Sequence, residues 1–415
     1  MRGISHMIIR KIRGEEIRRT MELFSVSFEY ANDIQKSAEE IFKDTSEHPY
    51  SREDFYWQER WAAFEDDDKT MMSYFVAQPF PVHFDGQVYT MTGIGGVATL
   101  PQYRRNGGIR KCFEAALPDM YRNNVTFSYL YPFSSAYYRK FGYEMAVEKK
   151  RYHIRLSSLK PFAVSGKCYL AEPGNCMLSE IKEVYQNWQN KYNMMIANED
   201  YEYAWVEQSN PVKNLEYTYV YKNAEGKPLG FMTFKVVSEY DGRNVACSRF
   251  FFTNAEGLKG LLNILISLSS DHAYANIEVP FDVDLTLIAP EWSMGAASLS
   301  TTQAGMVRVV NVEKALAGAR YQGDGCVTVS VNDAQIAENT DTFRVTFKDG
   351  ACTEVLRVDS SKADVSMGIA EFSHLIIGTC DVTSLPYFDN VTVHNADAPL
   401  HKIFYKKPLM ITQYF

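Results

Sequence analysis

The run Tyr103-Arg104-Arg105-Asn106-Gly107-Gly108-Ile109-Arg110-Lys111 carries the clearest chemistry in the sequence. It follows a strand-like segment ending before Pro101 and precedes a helical pattern with Phe113, Ala116 and Leu117 on one face. The first turn of a helix leaves N–H groups unpartnered and carries the positive end of the helix dipole, so such a junction suits an anion. Two adjacent residues without a Cβ let a diphosphate approach the backbone, and the arginines can add charge-assisted hydrogen bonds. The residues alone fit equally a solvated basic turn that caps a surface helix. Two other phosphate chemistries do not fit. No Gly-Lys-Ser/Thr follows the second glycine, Gly-x-Gly-x-x-Gly is absent, and Gly93-Ile94-Gly95-Gly96 lies inside a strand pattern.

The eight histidines show no His-x-His or His-Glu-x-x-His spacing, so no metal site is expected. Cys112, Cys168, Cys176, Cys247, Cys326, Cys352 and Cys380 are odd in number, widely spaced and free of Cys-x-x-Cys pairs. They read as reduced thiols, mostly small core residues. A formal net charge of −8 argues against generic affinity for nucleic acid or an anionic membrane and suits a cationic partner. The apolar run from Leu261 to Leu268 is broken by Asn263 and Ser267, far short of the roughly 20 residues a bilayer requires. No apolar leader with a small-residue cleavage site is present, so a cytoplasmic location is expected.

The elements that must position the glycine turn follow from periodicity. With 46% hydrophobic and 14% aromatic residues, the 415-residue chain has ample core material and is too long for one core. Residues 15–30 place Ile17, Met21, Phe24 and Phe28 on one helical face. Residues 74–86 and 88–99 read as strands about the turn Asp85-Gly86, and residues 112–120 as a helix. A strand over 125–131, a short helix over 134–141 and a strand over 145–156 complete the unit. The order recurs: helices over 180–188 and 201–206, a hairpin from 215–221 and 228–237, a strand over 245–253, a helix over 258–268 and a strand over 275–279. At the corresponding junction this copy reads Thr253-Asn254-Ala255-Glu256-Gly257-Leu258, without paired arginines or adjacent glycines. From about residue 288 short strands at 327–331, 343–347 and 354–358, with helices near 312–319 and 369–377, indicate an α+β unit.

The segment Arg104-x-x-Gly107-x-Ile109 resembles the acetyl-CoA motif of the Gcn5-related N-acetyltransferase (GNAT) superfamily, Arg/Gln-x-x-Gly-x-Gly/Ala. A bulky last residue is similar to the branch called Eis, enhanced intracellular survival, and the resemblance runs through essentially the whole chain from Met7. It implies tandem α/β GNAT folds, 7–156 with the acetyl-CoA site and 157–287 without one, then a sterol-carrier-protein-like α+β domain over 288–415. The segment Ser134-Ser135-Ala136-Tyr137-Tyr138-Arg139-Lys140-Phe141-Gly142-Tyr143 resembles the family stretch with a catalytic tyrosine before x-x-Phe-Gly-Tyr, which makes Tyr138 the general acid. The resemblance also implies that the main-chain carboxylate of the aromatic last residue, Phe415, is the general base. Val97, Ala98 and Thr99 would supply backbone donors to the oxyanion. Arg105, Asn106, Gly107, Gly108, Ile109 and Arg110 would hold the coenzyme, with Phe133 and Ser134 on the opposite wall. The motif tyrosines and aromatics fit equally a simple core, and Phe415 a packed terminal strand.

What the resemblance implies is direct acetyl transfer from acetyl-CoA to a primary amine of an aminoglycoside-like molecule or a lysine side chain, with no metal. The partner would be a small-molecule or peptide amine, with no nucleic acid or membrane partner, in a homo-oligomer, a trimer or trimer-based hexamer. Glu29, beside Phe28, suits a polycation or is an exposed helix residue. Two rival classes remain, an N-acyltransferase that uses a longer acyl-CoA and a non-enzymatic lipid carrier.

Overall fold

The computed structural model describes residues 7–31, 60–197, 203–239, 242–288, 293 and 295–414. Strand β1 (Ile8–Lys11) pairs antiparallel with β2 (Arg60–Phe64), and β2 with β3 (Met71–Phe84). Asp85 and Gly86 both take left-handed backbone (φ 48° and 85°). That is the combination a two-residue type I′ turn needs, and its twist matches the hairpin it joins. It returns the chain into β4 (Gln87–Thr99), paired with β3 from Phe84 opposite Gln87 to Val76 opposite Gly95 and, after a shift of one residue, from Tyr74 opposite Ala98 to Ser73 opposite Thr99. Helix α1 (Ile17–Phe28) buries Ile17, Thr20 and Leu23. Met21 and Phe24 pack against the same cluster as expected, whereas Phe28 is half exposed. Helix α2 (Gly108–Arg122) carries the chain over to β5 (Phe127–Leu130), parallel to β4, and seats Cys112, Phe113, Ala116 and Leu117 in the core. A short helix, α3 (Ser135–Tyr138), follows.

The second copy uses the same plan. Strands β6 (Glu144–Arg155) and β7 (Lys167–Leu170) lead to helix α4 (Leu178–Lys191), and the hairpins of β8 (Tyr217–Lys222), β9 (Pro228–Glu239) and β10 (Gly242–Phe252) follow. Helix α5 (Ala255–Ser267) crosses to β11 (Tyr274–Pro280), which is parallel to β10 and antiparallel to β6. Of the helix expected over 201–206, residues 201 and 202 lie outside the described residues, and a helix runs over Ala204–Gln208.

Strand β12 (Ala297–Val309) was not foreseen; its polar first half and Gly305 hide the alternation. Its last residues pair antiparallel with β5, Met306 opposite Leu130 to Val309 opposite Phe127. After α6 (Val312–Gly318) come β13 (Gly325–Asn332), β14 (Asp341–Lys348), β15 (Ala351–Arg357), β16 (Val365–Gly368), helix α7 (Ile369–Ile376) and β17 (Val391–Val393). The five strands β13 to β17 form a separate sheet in the order β15-β14-β13-β16-β17.

By packing, the described residues of Met1–Ala146, Gly305–Lys407 and Thr412–Phe415 form one compact unit, and those of Val147–Ala304 and Pro408–Ile411 another. Of the seven cysteines, all unbridged, only Cys112 and Cys380 are fully buried. Among the described residues no helix is long and apolar enough to cross a membrane.

In the first unit the turn of the β3–β4 hairpin is tied to the C-terminal segment. The Asp85 carboxylate accepts the Arg320 N–H at 2.7 Å and the buried Lys407 ammonium at 2.5 Å. Burial pulls the Lys407 ammonium below its ordinary range, while Asp85 opposes that shift. Asp85→Asn should strand this cation and cost about 3–5 kcal/mol of stability, read as a lower denaturation midpoint, and Asp85→Asn/Lys407→Met should recover most of it. An unchanged midpoint in the single variant would contradict this.

Candidate active site

Strands β4 and β5 pair from Met91 opposite Phe127 to Ile94 opposite Leu130, and no later pair forms between them among the described residues. At that point β4 is bulged. Gly96 is left-handed (φ 57°), and the β3 register shifts between Tyr74, opposite Ala98, and Val76, opposite Gly95. An extra residue bends a strand and turns it from its neighbour. The edge of Val97, Ala98 and Thr99 that would face β5 therefore has no strand partner among the described residues. The bulge went unread in the sequence, where the adjacent glycines Gly95 and Gly96 within a strand pattern were its signal.

The glycine turn follows directly. Arg105 (φ 68°) and Gly107 (φ 85°) are left-handed, and Gly107 caps α2 without a side-chain hydrogen bond. A left-handed arginine costs on the order of 1–3 kcal/mol, the kind of strain that collects at functional sites. Gly108 has a packing reason to be glycine: a Cβ there would lie 2.4 Å from Ser73 Oγ and 3.2 Å from Ala63 Cβ. Its absence lets the helix start rest on β2 and β3. Ile109 is buried in the cluster with Phe113 and Tyr138, so its bulk fills the core and leaves the turn open. Arg105, Asn106 and Arg110 are exposed, and the Arg110 guanidinium lies 3.2 Å from where a Gly107 Cβ would stand.

Tyr138 ends α3 and is buried. Aromatic rings meet it nearly edge-on, Tyr137 at 5.3 Å, Phe133 at 5.4 Å, Phe113 at 6.0 Å and Tyr143 at 6.4 Å. No hydrogen-bond partner of its hydroxyl is seen among the described residues. Burial, with smaller contributions from Tyr137 and Tyr143, pushes this phenol well above its ordinary range, so it holds its proton at neutral pH. Phe133 is 74% exposed and Ser134, which starts α3, is half-buried. Val97 packs against the same cluster as Ile109 and Tyr138, so the sequence-predicted strand, turn and tyrosine meet in one place.

Two further elements border the bulge. The end of α1 brings the Ser27 hydroxyl to the Thr99 carbonyl at 3.4 Å, and Phe24 and Phe28 stack at 4.6 Å. Glu29 is the exposed, left-handed residue that ends α1. From the other end of the chain, the Gln413 carbonyl accepts the Tyr131 hydroxyl at 2.5 Å and Tyr414 stacks on Tyr131 at 4.4 Å. Phe415 itself lies outside the described residues.

The second copy keeps the strand geometry with different chemistry at the helix. Strands β10 and β11 pair through Ala246 and Asn276, and β10 shifts register between Cys247 and Arg249. The start of α5 is capped, with the Asn254 side chain accepting the Gly257 N–H at 2.9 Å. The Glu256 carboxylate accepts the Ser165 and Tyr221 hydroxyls at 2.6 and 2.8 Å, so a fixed negative charge stands at that helix end.

Residues 8–146 match the family model of an acetyltransferase (GNAT) domain, and residues 312–410 that of a sterol carrier protein domain. The architecture is Eis-like. At 16% identity the chain shares the fold of Eis1 from Mycobacterium abscessus, with 98% of this chain and 100% of that one covered and a TM-score of 0.77. A probable N-acyltransferase of unknown function from Enterococcus faecalis is similar at 21% identity over 99% and 100% of the two chains, with a TM-score of 0.82. A GCN5-related N-acetyltransferase from Anabaena variabilis is similar at 19% identity over 99% and 100%, also at 0.82. No curated protein sequence matches. The tandem GNAT-like folds and the sterol-carrier-like end expected from the sequence are thus shown, and the acetyltransferase (GNAT) domain over residues 8–146 implies acetyl-CoA as cosubstrate.

Gly108→Ala should push the start of α2 off β2 and β3 and weaken acetyl-CoA binding about tenfold, a change of about 1.4 kcal/mol, as measured by calorimetry. Unaltered affinity in the folded variant would contradict the role given to the turn.

Proposed function

We propose that the chain transfers acetyl from acetyl-CoA directly to a primary amine of a cationic acceptor, an aminoglycoside-like molecule or a lysine side chain. The observation that carries this reading is the buried, protonated Tyr138 in the same cluster as Val97 and Ile109, beside the place where β4 leaves β5. The coenzyme diphosphate lies on the first turn of α2, held by backbone N–H groups over Arg105–Arg110, and the thioester lies between the strands with Phe133 and Ser134 opposite. N–H groups of Val97 to Thr99 stabilise the oxyanion formed when the amine attacks.

Collapse of that oxyanion breaks the C–S bond and expels a thiolate, whose thiol has a reference pKa of about 8.5. Tyr138 gives its proton as that bond breaks. Its raised pKa makes it a weak acid in isolation, but the desolvation that raises it also raises a thiolate in the same cleft. The amine must lose a proton before or during attack, and the Phe415 carboxylate takes it. Support for this base is the anchoring of Gln413 and Tyr414 on Tyr131, the residue after β5. The formal charge of −8 and the exposed Glu29 favour a cationic acceptor. The capped, Glu256-bearing start of α5 favours a second copy without a coenzyme site. A homo-oligomer, a trimer or trimer-based hexamer, belongs to the same reading through the Eis resemblance.

Tyr138→Phe should lower kcat by about 10²-fold or more while acetyl-CoA affinity stays within about twofold, as read by stopped-time assays and calorimetry. Undiminished turnover would overturn the reading. Because burial keeps Tyr138 protonated, kcat of the native chain should show no alkaline loss from tyrosine ionisation up to pH ~10. Removing Phe415 should abolish turnover of amines in a mass-detected screen, and the same screen with longer acyl-CoA donors separates acetyl transfer from long-chain acyl transfer. Tight apolar-ligand binding together with unchanged thiolysis in Tyr138→Phe would favour the carrier reading.

A further inference from the structure

Arg308 lies on β12 with no exposed surface, opposite Ser128 of β5. Its Nη2 donates to Asp333 Oδ2 at 2.5 Å, and its Nη1 donates to the main-chain carbonyl of Phe141. Asp333 is otherwise satisfied from its own neighbourhood: Oδ1 accepts the N–H groups of Gln335 and Ile336 at 2.9 and 3.2 Å, and Oδ2 accepts Asn339 Nδ2 at 2.9 Å. The guanidinium Nε has no partner among the described residues. Burying a guanidinium is costly, and an apolar side chain would continue the run of Met306, Val307 and Val309 more cheaply. What the guanidinium adds is its bond to Phe141, which lies in the tyrosine motif.

That carbonyl belongs to the last residue of the turn Arg139–Phe141, of which Tyr138 is the N-cap. The opposite end of the turn is Gly142, left-handed at φ 79°, where a Cβ would stand 2.0 Å from Arg308 Nη1. The Phe141 ring stacks on Phe113 at 4.5 Å, and Phe113 meets Tyr138 edge-on at 6.0 Å. Just past the turn, the Tyr143 hydroxyl meets Ser128 Oγ at 2.6 Å, and Ser128 is the residue Arg308 faces across the strands. Arg308 and Ser128 thus fix the segment 141–143 from one place on the β5–β12 pair.

We propose that Arg308, oriented by Asp333 of the sterol-carrier-like part, is a positioning residue for Tyr138: through the Phe141 carbonyl the Arg308–Asp333 pair sets the direction in which the phenol presents its proton to the departing thiolate. The proposal rests on the reading of Tyr138 as the acid. It gives this C-terminal part a role in the chemistry of the first domain apart from the terminal carboxylate.

The test is a double-mutant cycle on the full chain. Arg308→Lys keeps the charge beside Asp333, but one ammonium cannot reproduce the fork that serves both Asp333 and Phe141. It should lower kcat about tenfold, leave KM for acetyl-CoA within about twofold, and change kcat less than about twofold in a Tyr138→Phe background. Arg308→Met/Asp333→Asn, which removes both charges, should show the same pattern and serves as the comparison should the lysine variant not fold. Equal losses in both backgrounds, a change in KM alone, or no change in kcat would overturn the proposal and leave the acid role of Tyr138 intact. Full activity in Tyr138→Phe alone would overturn the acid role and the positioning role with it.

Discussion

The candidate site depends on the parting of β4 from β5. Two parallel strands paired along their whole length would satisfy each other's N–H and C=O groups and leave nothing for a ligand. Here the pairing stops at Ile94 and Leu130, and the left-handed Gly96 bends β4 away, so the edge of Val97 to Thr99 that would face β5 has no strand partner among the described residues. On its other edge β5 is held by β12 and cannot follow β4. The parting is thus set from both sides, by the bulge in β4 and by the pairing of β5 with β12.

The same parting occurs in the second copy, where β10 is bulged beside Cys247. What separates the two copies is the start of the helix that follows. Gly107 leaves the first turn of α2 uncapped, beside exposed arginines, whereas Asn254 and Glu256 fill the equivalent position on α5 with a cap and a carboxylate. A shared fold therefore carries different electrostatics at the two helix starts.

Much of this was legible in the sequence because the signals were local. Asp85-Gly86 announced a hairpin turn, the 3.6-residue pattern after Gly108 announced α2, and the repeat of the whole order announced tandem units. On α1 the expected Ile17, Met21 and Phe24 do meet the core, with Thr20 and Leu23 buried beside them, and only Phe28, in the last turn, was misplaced. Strand β12 and the bond from Arg308 to Phe141 were not legible at all. Both are contacts between segments far apart in the chain, and no local pattern records which buried charge meets which carbonyl. The bulge at Gly96 lies between these cases, since paired glycines marked it but only the register showed what they did.

The most direct measurement is amide hydrogen exchange of the full chain with and without acetyl-CoA, because it reads the main-chain N–H groups at which the account places the coenzyme. The account predicts slowed exchange at Val97 to Thr99 and from Arg105 to Arg110, with the start of α5 unaffected. Protection confined to the second copy, or to the sterol-carrier-like part, would contradict it.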